Sequence, residues 1–405
     1  MVVDLTGESD DADVAATLEM LVAAVALGAQ EEEEAEGKQD DDDDDEQETE
    51  GAVVQFAASK IALLVGLHEF GDVGEAVLEY VYQDREELLA RDAKALDLRI
   101  DDELQALVDK TGATLAPQLE EILSWTRERR QRPVTQQAAA ALLHSVDGLV
   151  TQARSKRKLQ AEEASDVKRL LSERIRLSYG CRNEDLALKA YEQQTGSSVR
   201  LSNQEFYVLE FPSLDTLPRA GVDFGEIEES IDEIMYEGEG DDDELPGCGQ
   251  PRAPYFTICG MIDGVADALA ITDDDDWQLV PILLEIKNRM RAFRVPPPLY
   301  DYIQMAVYLK MLGLHAGDLI QCLHADRAQI HVTRVSLSEY PLRCTTATTA
   351  SSAANSLWAS VLLPRLYSMV QTIDKLRRND LLRLAFLNGS EGERVEILRR
   401  ECDFL

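Results

Sequence analysis

The spacing of hydrophobic and polar positions changes along this chain. In its middle third, short apolar runs rich in β-branched residues are bounded by turn formers, the pattern of strands; the flanking regions carry the three-to-four spacing of helices. An apolar run from residue 258 ends at Asp263-Gly264, four aspartates follow at 273–276, and the chain returns as Leu279-Val-Pro-Ile-Leu-Leu-Glu-Ile-Lys287. This predicts a hairpin. Side chains alternate along its returning strand, so Glu285 and Lys287 share one face while Leu284 and Ile286 fill the other. A second strand pair is predicted at 319–324 and 329–335.

Apolar clusters at 61–65, 76–80, 119–123 and 138–143 make 53–180 read as helical throughout, with breaks at Gly112, Pro117 and Pro133. Residues 180–196 predict an amphipathic helix that buries Leu188 and Tyr191 and ends on Gly196 as its C-cap. After the prolines at 296–298 comes a helix at 300–312. A long helix at 351–377 should be kinked or split by Pro364, and 379–405 adds further helical cover. The domain plan is a tail at 1–51, a helical region at 52–177, a mixed core at 178–340 and C-terminal helices at 341–405.

Composition modifies this plan mainly at the ends. The 405 residues carry 77 acids against 40 bases, a net charge of -37. The first 50 residues hold 20 acids and one lysine, so that segment is predicted to be disordered apart from a short helix at 15–29. A second acidic stretch, 223–245, reads as a surface loop. Such a total does not favour nucleic acid, but the distribution is uneven: from Arg127 to Arg182 there are 13 bases and 6 acids, with clusters at 127–132 and 154–158. These clusters read equally as solvated helix faces, a nuclear import signal or a phosphate-tracking stripe. The six cysteines form no CxxC pair, so no zinc site or iron–sulfur cluster is expected, and dispersed thiols suggest a reducing compartment. The acidic N-terminus is unlike a signal peptide, and the apolar run at 21–29 is too short to span a bilayer, so no membrane association is expected.

The candidate chemistry lies in four places. Glu184 falls in the first turn of the 180–196 helix, Asp263 precedes a glycine turn, Glu285 and Lys287 share a strand face, and Gln304 is a polar residue among the apolar neighbours of YDYIQMAVYL. An acid and a lysine two apart on a strand can point into one pocket, with the upstream aspartate reaching it, and that is a place to hold a metal ion beside a phosphate. Taken singly, each feature has an ordinary explanation: a surface ion pair, a turn, dipole compensation or a hydrogen-bonded core amide. It is their order along the chain that is specific. The scattered His315, His324 and His331 read as structural.

In these residues the chain resembles the PD-(D/E)xK nucleases, most closely the branch holding phage lambda exonuclease and the YqaJ viral recombinases. The likeness covers roughly 178–335. Ile262 stands where that family has proline, as in the RecB-like branch, and Glu184 stands where the RecB-like branch usually has histidine. The resemblance implies an α/β (α+β) fold with a restriction-endonuclease-like core: a mixed central β-sheet flanked by helices, preceded here by the all-helical N-terminal region. It also implies hydrolysis of DNA phosphodiesters with magnesium, or with manganese as the alternative ion. Asp263, Glu285, Glu184 and the backbone carbonyl of Ile286 would hold the ion, Lys287 would orient the attacking water, and Gln304 would position the lysine, the water or a phosphate. Arg182, Arg289, Arg291 and Arg294 are expected phosphate contacts, and Asp267 is expected in the turn or behind the site. An exonuclease of recombination, repair or replication is the leading expectation. The alternatives are a structure-specific or restriction-type endonuclease, or a nucleic-acid-binding protein that keeps the fold without the activity. Val2-Val3-Asp4-Leu5 with its following acids resembles a SUMO-interacting strand, which with the acidic arm suggests a nuclear location.

Overall fold

The computed structural model describes residues 54–98, 116–127, 132–202, 205–213, 254–271, 277–325, 327–339, 341–342, 356–402 and 404–405. The segment 2–5, the 15–29 helix, most of the 127–132 cluster, the 223–245 loop and the aspartates at 273–276 lie outside them. The chain folds as a mixture of helices and two mixed sheets.

In chain order the strands are β1 (Val54–Ala57), β2 (Val199–Arg200), β3 (Phe206–Phe211), β4 (Phe256–Met261), β5 (Gly264–Ile271), β6 (Trp277–Arg289), β7 (Ala316–His324) and β8 (Ala328–Ser336). The helices are α1 (Ile61–Leu64), α2 (Val73–Val81), α3 (Glu86–Ala95), α4 (Ala116–Arg127), α5 (Gln136–Ser155), α6 (Ala161–Thr195), α7 (Leu299–Met311), α8 (Leu363–Arg378), α9 (Asp380–Asn388) and α10 (Glu391–Glu401). Three strands pair in the order β1-β4-β3 and five in the order β2-β5-β6-β7-β8. Every pairing is antiparallel except β1 with β4 and β6 with β7. Helix α7 supplies the crossover that the parallel β6–β7 pair requires.

Four expectations are corrected. The region after residue 52 is not all helical: Val54–Ala57 is a strand, with Val54 and Phe56 buried and Gln55 exposed, the period of two. There are two sheets rather than one, because Ile262 and Asp263 leave the ladder and carry the chain from β4 in one sheet to β5 in the other. And the helix expected from 180 begins at Ala161 and runs unbroken to Thr195, closed by Gly196 at φ 75°, the left-handed position that suits glycine. Pro364 does not interrupt the described helical run, which passes from a π-helical to an α-helical turn there. The proline lies in the first turn of α8, where a missing N–H is tolerated, just after a π-helical turn at Trp358–Leu362.

Three cores hold these elements together. The largest joins β1, β3 and β4 to α1, α2, α7 and α8 and to one face of the five-stranded sheet through Val265, Leu283 and Leu319. A second core packs Ala187, Leu188 and Tyr191 of α6 against Ala266, Ile282, Leu284 and Ile286 on the opposite face. The third is helical: the first half of α6 contributes Val167, Leu171 and Ile175 to a cluster with α4 and α5. Alternation along β6 therefore sends Leu284 and Ile286 toward α6, and Glu285 and Lys287 toward α7.

Candidate active site

The site forms where β5 leaves β6. Their pairing ends at Gly264 opposite Leu284, while β6 continues beside β7 as far as Arg289 opposite Leu323. Beyond Leu284 the β5 side of β6 is thus an open edge, and its N–H at Ile286 needs a partner. Asp263, the residue just before β5, supplies one: Ile286 N donates to its carboxylate Oδ2 at 2.6 Å. The same bond holds Asp263 beside Glu285.

Lys287 lies next along this face. Its Nζ donates to Glu285 Oε1 at 2.8 Å and to Gln304 Oε1 of α7 at 2.6 Å. Glu285 is 3 % exposed. Helix α7 presents Asp301, Gln304 and Tyr308 at the i, i+3, i+7 spacing of one face, and the Asp301 and Tyr308 side chains lie within electrostatic reach of Glu285. From the other side of the sheet α6 brings Glu184. It is anchored there by Asn288 Nδ2, which donates to Gly180 O at 2.8 Å, and by the fully buried Asn183, which exchanges hydrogen bonds with the Val134 backbone.

Electrostatically the site has an excess of buried negative charge. Burial raises Glu184 to about 7, with the charges of Glu285 and Asp185 adding to the effect. Asp263 is raised well above the usual carboxylate range by burial and by Glu285, against the lowering effect of the Ile286 N–H. Glu285 is raised by burial, with Lys287 opposing. Burial works against the Lys287 ammonium, but Glu285 and Asp301 outweigh it and keep the lysine protonated. Three carboxylates near one partly buried lysine form a donor set suited to a hard divalent cation, which takes oxygen ligands and would relieve the repulsion. In the arrangement seen, no three His, Cys, Asp or Glu side chains among the described residues converge closely enough to enclose an ion. Asp263 is drawn onto Ile286 and Glu285 onto Lys287 instead.

Asp263, Glu285, Lys287, Gln304 and Glu184 are therefore brought together, with Ile286 between them. The four arginines differ in their surroundings. Arg182 is buried, donates to Trp125 O at 2.6 Å and stacks 4.5 Å over the Trp125 ring, so it joins α6 to α4. Arg289 pairs with Asp301 and donates to Gln321 Oε1 at 3.0 Å. Partners within the chain thus engage both of these guanidinium groups. Arg291 and Arg294 are exposed beside the site, Arg294 bonded to the Tyr300 hydroxyl. Asp267 lies within β5, not in a turn, and pairs with Arg200 at 2.5 Å. His324 is structural, its Nδ1 lying 3.0 Å from Val134 O.

Three residues near the site escape the sequence reading. Asp301 and Tyr308 were signalled by their helical spacing from Gln304. Gln321, fully buried on β7, pins the loop after β6 by accepting from Arg294 N at 2.9 Å and donating to Arg294 O at 2.8 Å; its signal was a polar residue inside the run LIQCL.

Comparison with family models, with curated proteins and with solved structures returned no match.

Proposed function

We propose that this protein is a metal-dependent nuclease that hydrolyses DNA phosphodiesters, acting from DNA ends. The observation that carries the reading is the clamp on Lys287, held between Glu285 and Gln304 at 2.8 and 2.6 Å on the open edge of β6, next to Asp263. The order of these residues along the chain, and their resemblance to the PD-(D/E)xK pattern, support the reaction class; the preference for ends rests on the likeness to the lambda exonuclease branch alone.

Asp263, Glu285 and Glu184, with the Ile286 carbonyl, would hold a magnesium or manganese ion. Such an ion polarises a phosphoryl oxygen and makes its bound water a nucleophile near neutral pH. The protein's own contribution is positional. Lys287, protonated and largely buried, offers a fixed positive charge to the phosphate and a donor to the attacking water. Gln304 and Glu285 hold that ammonium in place, and Tyr308 hydrogen-bonds Gln304 from the same face of α7. Arg291 and Arg294 supply exposed cations for the flanking phosphates.

The test is incubation of end-labelled linear DNA and closed circular DNA with magnesium, using wild type, Lys287→Ala and Asp263→Ala. The reading expects loss of linear DNA only, abolished by either substitution. Cutting of the circle would replace the end preference with endonuclease action. No cleavage of single- or double-stranded DNA with either metal would leave a binding protein built on the same site.

A further inference from the structure

Helix α6 carries Glu184 toward one end and opens, at the other, on a basic corner. Arg154, Lys156, Arg157 and Lys158 occupy the end of α5 and the turn into α6, and all four are exposed. Arg154, Arg157 and Lys158 line a cleft of about 500 Å³ against the start of α6. A neighbouring cleft of about 880 Å³ between α5 and α6 shares Arg154 and adds Lys168. Two of the nearby acids are engaged elsewhere: Asp147 pairs with Lys168 at 2.8 Å, and Glu163, which lines the smaller cleft, closes the capping box on Gln160. Among the described residues no acidic side chain pairs with Arg154, Lys156, Arg157 or Lys158. Because the capping box already answers the first N–H groups of α6, the positive potential of this corner comes from its side chains. In a chain of net charge -37 such a corner is a local exception that selects a polyanion.

Its distance from the site has a scale. A helical rise of about 1.5 Å per residue puts Glu184 roughly 35 Å from the Ala161 end of α6, and duplex DNA advances about 3.4 Å per base pair. That separation corresponds to about 10 base pairs, or one turn of duplex. We propose that the α5–α6 corner is a second contact for the phosphate backbone of a duplex lying along α6, about one helical turn from the bond being cut. The inference rests on the nuclease reading for its substrate class. It adds a length requirement: a duplex too short to reach the corner gains nothing from it.

The test uses full-length protein in a chelator, so that binding is read without turnover, and fluorescent DNA hairpins with stems of about 8 and about 24 base pairs. Arg154→Ala, Arg157→Gly and Lys158→Ala are combined in one variant. Glycine suits residue 157, whose φ is 54°. All three positions are exposed, and the buried Leu159 that anchors the turn is untouched. The variant should lose at least about tenfold in affinity for the long stem at about 50 mM salt and flatten the salt dependence by the equivalent of two to three phosphate contacts, roughly 0.9 each in slope. Affinity for the short stem, and cleavage of it with magnesium, should not change. A companion variant, Arg154→Lys with Arg157→Lys, should keep the long-stem affinity, which separates charge from folding. Equal loss on both stems, no loss on the long stem, or loss confined to an acidic polyglutamate peptide would overturn the proposal, the last by assigning the corner to an acidic protein segment. The two readings fail separately: wild type that binds with this length dependence but cuts nothing refutes the nuclease alone, and wild type that cuts without length dependence refutes the corner alone.

Discussion

At the scale of single residues the site is a balance between burial and charge. Asp263, Glu285 and Glu184 all have folded values above those of an unfolded chain, so without metal they hold protons more tightly when folded. A carboxyl group of this kind contributes stability below its unfolded value and loses that contribution as pH rises through its folded value. For Glu184 the window runs from its ordinary value of 4.5 to about 7. In a chelator, the melting temperature should therefore fall between about pH 5 and pH 8, magnesium should restore it at the upper end, and Glu184→Gln should flatten the slope. A Glu184→Gln protein whose melting temperature falls as steeply as wild type's would show that Glu184 is not part of this charge cluster. Asp263, Glu285, Lys287 and Gln304 were legible in the sequence because alternation on a strand and a polar residue in an apolar helix are local signals. The fates of Arg182 and Arg289 were not. Charge alone does not tell a surface cation from one whose partners, Trp125 and Asp301, arrive from distant or differently folded segments.

At the scale of elements, close packing between α7 and the sheet sets the position of Gln304. A Cβ on Gly317 of β7 would lie 2.6 Å from Met305 Cε and 2.8 Å from Leu283 O. Gly317→Ala should therefore press β7 off the Leu283 carbonyl of β6, Met305 being free to turn aside, and destabilise the protein by about 1–3 kcal/mol, read by urea denaturation, with a loss of cleavage rate because β6 carries Glu285 and Lys287. Unchanged stability would mean that this interface has room the packing does not show. Strand β1 was hidden in the sequence by its length: four residues of alternation sit directly before a helical pattern. The true start of α6 was hidden for another reason. Its buried stripe serves the helical core before Ser178 and the sheet after Asn183, and between them Ser178, Arg182 and Asn183 are buried polar residues that break the apolar periodicity.

At the scale of the molecule the proposed function requires an acidic protein to approach DNA. Of the excess negative charge, about half lies in the first 50 residues, ahead of every described element. On the nuclease proposal, that arm is expected to compete with DNA for the basic corner at low ionic strength, where screening is weak. A protein lacking residues 1–51 should bind duplex DNA more tightly at about 10 mM salt and equally well at about 1 M, where the Debye length is roughly 3 Å. Unchanged affinity at low salt would assign the arm to partners other than the DNA surface. The mixed fold class was legible from the change of period along the chain. Its division into two sheets was not, because the junction at Ile262-Asp263 reads in sequence as one continuous strand end.

The most direct measurement is the cleavage rate of linear duplex DNA as magnesium is titrated, for wild type, Asp263→Asn and Lys287→Gln. The glutamine keeps a donor toward Glu285 and Gln304 but removes the charge. The account predicts a saturable dependence on magnesium in wild type and a fall of about 10²–10³ in the saturated rate for Lys287→Gln. Asp263→Asn should need more metal to reach a lower rate. A wild-type rate that is independent of magnesium, or a Lys287→Gln protein that cuts as fast as wild type, would contradict it.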